Sequence, residues 1–321
     1  MQFAVETWAP EYGVAADGAQ LAESDLAVDA TVEAALVDWA PITPVATPAR
    51  NVLFVDGVRR IEARVWITTG DVTRIGVCAS VAAGSVLCTP GSAVINEVVV
   101  SRGVFAQENE TTSPIVTRYG TYDFFPVPGD SPEELYLGVH TQMTNVEAVV
   151  AAAHNAELVV FDGPLRGRHD ALAVGYVKTQ HVQYLPAEVN SILGRLGPGQ
   201  RTPIFVMGTR TSSRYSWYLR LPGPISQPLS GIVRCEIDGI TSTAAAIERA
   251  EVISATLPRF ASEAHKDPRA PQNLYPIAGL EQHLKHRLGD AQLLERGLRR
   301  AAIEPPTHCD GSGPPLRTEP R

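Results

Sequence analysis

The sequence predicts an α/β fold in which a mixed sheet, an antiparallel meander followed by parallel strands, is flanked by helices. Three observations predict it. Short apolar runs of strand length recur between Val52 and Ile237. Two of these runs, Leu53-Phe54-Val55-Asp56-Gly57 and Val159-Val160-Phe161-Asp162-Gly163, close on the same Asp-Gly pair, 106 residues apart. The Ala- and Val-rich stretch from Thr141 to Asn155, with helical patterning, runs straight into the second of them.

The chain has 321 residues, 44% hydrophobic and 19% charged, which excludes a wholly disordered protein. No window of 18 consecutive apolar residues occurs, so no membrane span is expected. The first residues lack a basic region followed by an apolar run, so no secretory signal is read. Four cysteines (Cys78, Cys88, Cys235, Cys309) show no C-x-x-C pairing. That pattern argues against a zinc site or disulfide framework and fits a reducing cytoplasm. The net charge of −8 is unevenly spread: residues 1–50 hold eight acids against one base, whereas residues 161–234 hold nine bases against three acids. The later segment is able to meet phosphates.

Taken in order, residues 1–50 read as an acidic, Ala-rich helical extension (Leu21 to Trp39) ended by the Pro-rich run Pro41 to Pro48. The main domain is expected over residues 51–302. It opens with the Asp56 strand, then Ile61–Ile67, which alternates strictly, and Arg74–Leu87, with a turn at Gly84-Ser85. Short connections between these strands predict the antiparallel meander. Thr89 to Ser131 is less legible, with loops at Thr111–Pro114 and Pro126–Asp130. Ser131-Pro132-Glu133-Glu134 is a helix start: a capping Ser, Pro in the first turn, and acids near the positive end of the dipole. After the Asp162 strand come a strand over Ala171–Lys178, a short helix over Pro186–Leu196, and strands over Thr202–Gly208, Tyr215–Leu221 and Gly231–Ile237. Helices follow at Ser242–Ala255 and Ile277–Ala302. Residues 303–321, rich in Pro, Gly and charge, are expected to be a disordered tail.

The paired Asp-Gly motifs are too far apart for a solenoid repeat. They read better as two central strands, each presenting a carboxylate at the edge where open α/β sheets place their ligands. Two such aspartates and a helical acid, Glu147, make an oxygen-rich set suited to hard divalent cations and to phosphodiester hydrolysis. Asp-Gly after a strand also reads as a plain turn, and a lone helical Glu as a solvated residue. Arg166 and Arg168 follow Asp162 and suit phosphate contacts. Arg210, Arg214 and Arg220, interleaved with Tyr215, Trp217 and Tyr218, read equally as a strand-binding wall of stacking rings or as residues alternating into a core.

The ordered set Phe54-Val55-Asp56-Gly57, helical Glu147, Val160-Phe161-Asp162-Gly163-Pro164-Leu165, Val174-Gly175-Tyr176-Val177-Lys178 and Asn273-Leu274-Tyr275-Pro276 resembles the NurA nuclease family over roughly residues 50–290. The family pattern is D-G, a helical Glu, D-G-x-L, a strand ending in Lys, and an Asn/Tyr-Pro segment leading to a His. Here Val58 stands where the family often has Ser after the first Asp-Gly. The resemblance implies an RNase H-like fold and a manganese-dependent DNA nuclease, with magnesium as the alternative ion. It also implies a homodimer working with a HerA-type hexameric ATPase at double-strand-break ends. Carried over, Asp56, Glu147 and Asp162 would be metal ligands, His283 the late metal-site histidine, and Lys178 the cation beside the scissile phosphate. One of Tyr215 and Tyr218 would occupy the place of a family tyrosine. On its own, His283 reads as readily as a surface or satisfied residue, and Lys178 as a solvated rim charge.

The function expected is therefore a metal-dependent DNA nuclease, exonucleolytic and also cutting single strands internally, with no organic cofactor, because no Walker A or G-x-G-x-x-G sequence occurs. Two rivals stand beside it: a docking module for a motor ATPase with weak catalysis, and a metal-dependent esterase acting on small phosphate esters.

Overall fold

A computed structural model of the protein describes residues 22–23, 26–69, 71–107, 114–152, 156–165, 168, 170–179, 182–209, 212–225 and 229–303. Two compact units share the chain. The first takes residues up to 58, 82–100 and 143–287; the second takes 59–81, 101–142 and 288 onward. The strands are β1 (Ala22–Glu23), β2 (Ala27–Asp29), β3 (Val52–Thr69), β4 (Val72–Thr89), β5 (Ser92–Gln107), β6 (Ile115–Thr117) and β7 (Gly120–Val127). They continue with β8 (Leu158–Asp162), β9 (Ala173–Val177), β10 (Val182–Gln183), β11 (Phe205–Thr209), β12 (Ser212–Arg220) and β13 (Ile232–Asp238). The helices are α1 (Pro132–Ala152), α2 (Ala187–Asn190), α3 (Ile192–Arg195), α4 (Thr243–Thr256), α5 (Tyr275–Arg287) and α6 (Ala291–Ile303).

In the first unit the strand order is β2–β11–β12–β13–β9–β8–β3–β4–β5. Two-residue connections join β3 to β4 and β4 to β5, which antiparallel neighbours alone allow. β3 pairs parallel with β8, and β8 parallel with β9; β13, β12 and β11 then follow antiparallel. A meander followed by parallel strands is as expected, with β5–β4–β3–β8–β9 in RNase H-like order, but its third strand is β5, which the sequence did not predict. β8 and β9 are buried almost throughout, as expected of parallel strands covered on both faces.

The wall of stacking rings does not form. Tyr215, Trp217 and Tyr218 are all buried: Trp217 donates to Ser254 Oγ on α4 at 2.9 Å, Tyr215 shares a hydrogen bond with Thr243, and Tyr218 stacks on Phe205. Every residue of β12 from Tyr215 to Arg220 is buried, so both faces are covered there and its aromatic residues fill the core whichever way they point. Arg220 is buried as well, donating to the carbonyls of Ser230 and Leu193.

The expected N-terminal helix is replaced by β2, paired with β11, and a single 3₁₀ turn over Leu36–Asp38. Asp29 explains part of this, because its carboxylate accepts from both the N–H and the hydroxyl of Thr31, a local bond that competes with helix. Nor are residues 26–50 an appendage. Trp39 is buried and donates to Ala30 O, and Glu33 accepts two hydrogen bonds from the buried Arg201, which also donates to Glu251. Both carboxylates hold the Arg201 pKa up despite the burial that opposes its charge.

Several boundaries move for physical reasons. Ile61–Ile67 is not a separate strand but the continuation of β3. Gly84 makes no turn: β4 runs through it, and a Cβ there would lie 2.9 Å from Glu97 O and 3.1 Å from Leu280 and Leu284. The expected helix over Ile277–Ala302 is two helices, broken at Gly289, whose φ of +83° favours glycine. Residues 304–321, expected as a tail, lie outside the described residues.

In the second unit the order is β3–β4–β5–β7–β6, with β5 and β7 parallel. Cys78, Val104, Tyr122 and Leu298 form its core with Val65, Ile67 and Phe124. Phe105 and Phe125 stack at 5.1 Å. The helix start at Ser131 is a capping box: the Ser131 hydroxyl accepts from Glu134 N, and Glu134 Oε2 accepts from Ser131 N. Among the described residues no helix is long and apolar enough to cross a membrane.

Replacing Arg201 with Met should leave Glu33 and Glu251 facing each other without their cation. Urea unfolding should show a loss of about 3 kcal/mol. A loss under about 0.5 kcal/mol would mean that residues 26–50 are not held by this pair.

Candidate active site

The parallel register of β3 and β8 assembles the site. Val55 pairs with Phe161, so the next pair places Asp56 beside Asp162 on the same face, about 4.8 Å apart at the backbone. The two aspartates nevertheless differ in setting. Asp162 ends β8, and Gly163 turns the chain with φ +113°. Asp56 is not at a strand tip, because β3 runs on through Gly57 to Thr69.

Gly57 is there for space. A Cβ on it would lie 2.5 Å from Glu147 Oε1 and 2.8 Å from Met143 Cγ. α1 thus brings the Glu147 carboxylate onto the β3 backbone one residue past Asp56. Arg168 holds that carboxylate at 2.5 Å and lies over the Phe161 ring at 4.1 Å.

Lys178, just past the end of β9, reaches Asp162 Oδ2 at 2.6 Å and donates to Asn273 Oδ1 at 3.0 Å. Asn273 is fully buried and donates to Asp267 Oδ2 at 2.6 Å. The ammonium is therefore fixed between an acid and an amide. Nearby, Glu281 on α5 accepts from Arg269 at 2.6 Å and from Lys285 at 2.7 Å.

These groups shift one another. Burial, and then the negative charge of Asp162, push the Asp56 carboxyl well above the usual carboxylate range; Lys178 and the Gly57 N–H oppose this, and Glu281 adds to it. Burial also works against ionised Glu281, but the bonds from Lys285 and Arg269 outweigh it and hold its carboxyl low.

Of the residues expected at the site, Asp56, Asp162 and Lys178 come together; Glu147, held by Arg168, meets β3 at Gly57, whose side-chain direction is opposite to that of Asp56. His283 is half-buried on α5 two residues from Glu281, about 200° further round the helix. The acid of α5 that Asp56 senses is Glu281. Arg214 does not line a strand-binding wall: it pairs at 3.0 Å with the fully buried Glu236, which also takes Arg234 and the Leu165 N–H. Arg166 and Arg210 lie outside the described residues. Sequence reasoning missed Glu281, Asn273 as the partner of Lys178, and Asp267. Glu281 offered no signal, because Glu281 and Lys285 four apart look like any exposed helix pair.

Among the described residues no three His, Cys, Asp or Glu side chains stand in a ready metal-ligand group. The donor chemistry nonetheless fits a hard divalent cation at Asp56 and Asp162. Asp162 Oδ1 is buried without a hydrogen-bond partner, and a cation would relieve the repulsion that raises the Asp56 carboxyl.

A raised carboxyl means that folded Asp56 keeps a proton the unfolded chain would release near the ordinary carboxylate pKa. Its stabilising share is whole below that ordinary value and is lost as pH rises through the raised one. With chelator present, Asp56→Asn should melt about 2 °C or more above the natural chain at pH 9, the gap closing towards pH 4. Thermal melts across that range would check this, and a pH-independent gap would contradict the charge explanation.

Two solved structures are similar in outline. The NurA nuclease from Sulfolobus solfataricus is 11% identical, with 83% of this chain and 89% of that chain covered at a TM-score of 0.49. An endonuclease V from Bacillus subtilis is 9% identical, with 76% and 85% covered at a TM-score of 0.32. No curated protein matches by sequence. The family model for the NurA domain matches residues 72–285, two thirds of the chain, a span that takes in Glu147, Asp162, Lys178 and Glu281 and begins after Asp56. The chain belongs to the NurA domain family.

Proposed function

We propose that the protein is a metal-dependent DNA nuclease that hydrolyses phosphodiesters at DNA ends and also cuts single strands. The observation that carries this reading is the proximity of Asp56 to Asp162, which follow the paired Val55 and Phe161; one Asp162 oxygen is buried and unpartnered, and the other meets the fixed cation Lys178. Asp56 and Asp162 would hold manganese or magnesium, with Glu147 as the third carboxylate. The bound ion supplies Lewis acidity, activating water and neutralising charge at the phosphate. The protein's own groups do the rest. Lys178, held by Asn273, opposes the negative charge that develops on the phosphate without having to reorganise. Asp267 keeps the Asn273 amide oriented so that its oxygen faces Lys178. Arg168 restrains Glu147 beside Gly57. A homodimer served by a HerA-type hexameric ATPase, working in the cytoplasm, completes the proposal.

A second reading, a docking module with weak catalysis, draws on one specific observation: Glu147 is engaged by Arg168, and no three-ligand group stands ready among the described residues.

Labelled single- and double-stranded DNA incubated with the full chain and manganese separates the two. Asp162→Asn should abolish DNA loss, and Lys178→Met should slow it by about 10²–10³-fold. Manganese at about a hundredfold its dissociation constant should stabilise the natural chain by about 2.7 kcal/mol and leave Asp162→Asn unmoved. Metal-induced stabilisation without DNA loss would select the docking module. Hydrolysis of a generic phosphate ester but not DNA would select the small-ester esterase.

A further inference from the structure

The second unit carries a trough of about 520 Å3 that the proposed active site does not use. Its walls include Thr117, Arg118, Tyr119, Arg296, Gly297 and Arg300; the remaining lining residues are apolar, and no carboxylate is among them. The trough follows from how α6 packs. Leu294 and Leu298 are buried, Leu298 against the core of Cys78, Val104 and Tyr122, and Gly297 lies on the same side of the helix. A Cβ on Gly297 would lie 2.9 Å from the Tyr119 ring and 3.4 Å from Thr117 Cβ, so glycine lets the helix backbone rest against the β6–β7 turn. That turn is fixed by Thr117, whose hydroxyl donates to Gly120 O and accepts from Tyr119 N.

The result is an exposed aromatic ring among three guanidinium groups. Arg296 and Arg300 stand one helical turn apart, and Arg118 lies 6.0 Å from the centre of the Tyr119 ring. Arg299, on the same helix, is not part of the trough and is tied to Glu295 at 2.6 Å.

We infer that this trough is a second, non-catalytic binding site for single-stranded nucleic acid. The arginines take backbone phosphates, and Tyr119 takes an unpaired base on its ring. A duplex keeps its bases stacked on one another and leaves Tyr119 unused; an acidic peptide meets the arginines alone and also leaves the ring bare. The choice of nucleic acid over another polyanion rests on the nuclease reading, whereas the site itself needs no catalysis.

The test is equilibrium binding of a dye-labelled single strand of about 20 nucleotides to the full chain in chelator, where hydrolysis cannot contribute. In the combined Arg118→Ala, Arg296→Ala and Arg300→Ala variant, the slope of log affinity against log salt should fall by about 2, for three lost phosphate contacts. Tyr119→Leu should weaken binding by roughly tenfold and leave that slope in place. Arg299→Ala, equal in charge to any one of the three changes, should shift affinity by less than about twofold. Circular dichroism should show all variants folded, since every altered side chain is exposed. An unchanged slope in the triple variant, or an Arg299→Ala loss as large as that of Arg300→Ala, would overturn the site. So would poly-glutamate that displaces the strand equally well from the natural chain and from Tyr119→Leu, which would mark a face for an acidic protein partner. Failure of the nuclease reading would appear separately, as intact DNA when manganese replaces the chelator.

Discussion

The parallel register between β3 and β8 is the constraint on which the site depends. Because the two strands run the same way and meet at Val55 and Phe161, two aspartates far apart along the chain become lateral neighbours on one face. A slip of one residue would turn one carboxylate to the opposite face and leave the other alone. Everything else at the site is arranged around the cost of that proximity. Two acids this close, one of them buried, repel each other; Lys178 is set against Asp162, and Asn273 and Asp267 hold Lys178 in turn. The first unit thus carries a polarised cluster in which each charge has a named neighbour.

Glycine has two distinct jobs at three positions here, and only one of them is the turn. Gly163 takes a positive φ that a side chain would resist. Gly57 lies in an extended strand and has no such need; it is small because Glu147 and Met143 occupy the space a methyl group would fill. Gly297 plays the same part in the second unit, where α6 meets Tyr119. Twin Asp-Gly motifs therefore look alike in sequence for unrelated reasons, one conformational and one steric.

Much of the fold was legible because its signals were local. The apolar runs of β8 and β9, the start of α1 at Ser131 and the start of α4 at Ser242 all follow from residues near in sequence, whereas β5 was not read. The twin Asp-Gly motifs pointed to Asp56 and Asp162 as neighbours, and the family resemblance pointed to Lys178, which reaches Asp162; Glu147, expected beside them, meets β3 at Gly57 instead. What escaped was decided by distant contacts. The Ala-rich stretch before Trp39 has helical composition, yet pairing with β11 and the pull of Arg201 on Glu33 override it. Tyr215 and Tyr218 gave no sign of being core rather than surface, because the alternation of a strand does not say how many of its faces are covered. Glu281 was hidden for a related reason: its local bond to Lys285 disguises a role set by residues on other elements.

The unequal placing of the two aspartates has a mechanical meaning. Asp56 is embedded in the interior of an eighteen-residue strand, so its backbone is pinned on either side and the carboxylate is a fixed reference point. Asp162 closes a five-residue strand, and beyond it the chain is held only by the bond from Gly163 N to Tyr176 O before it leaves the sheet. The two carboxylates thus sit in backbones of unequal restraint, one inside a long ladder and one at the end of a short one.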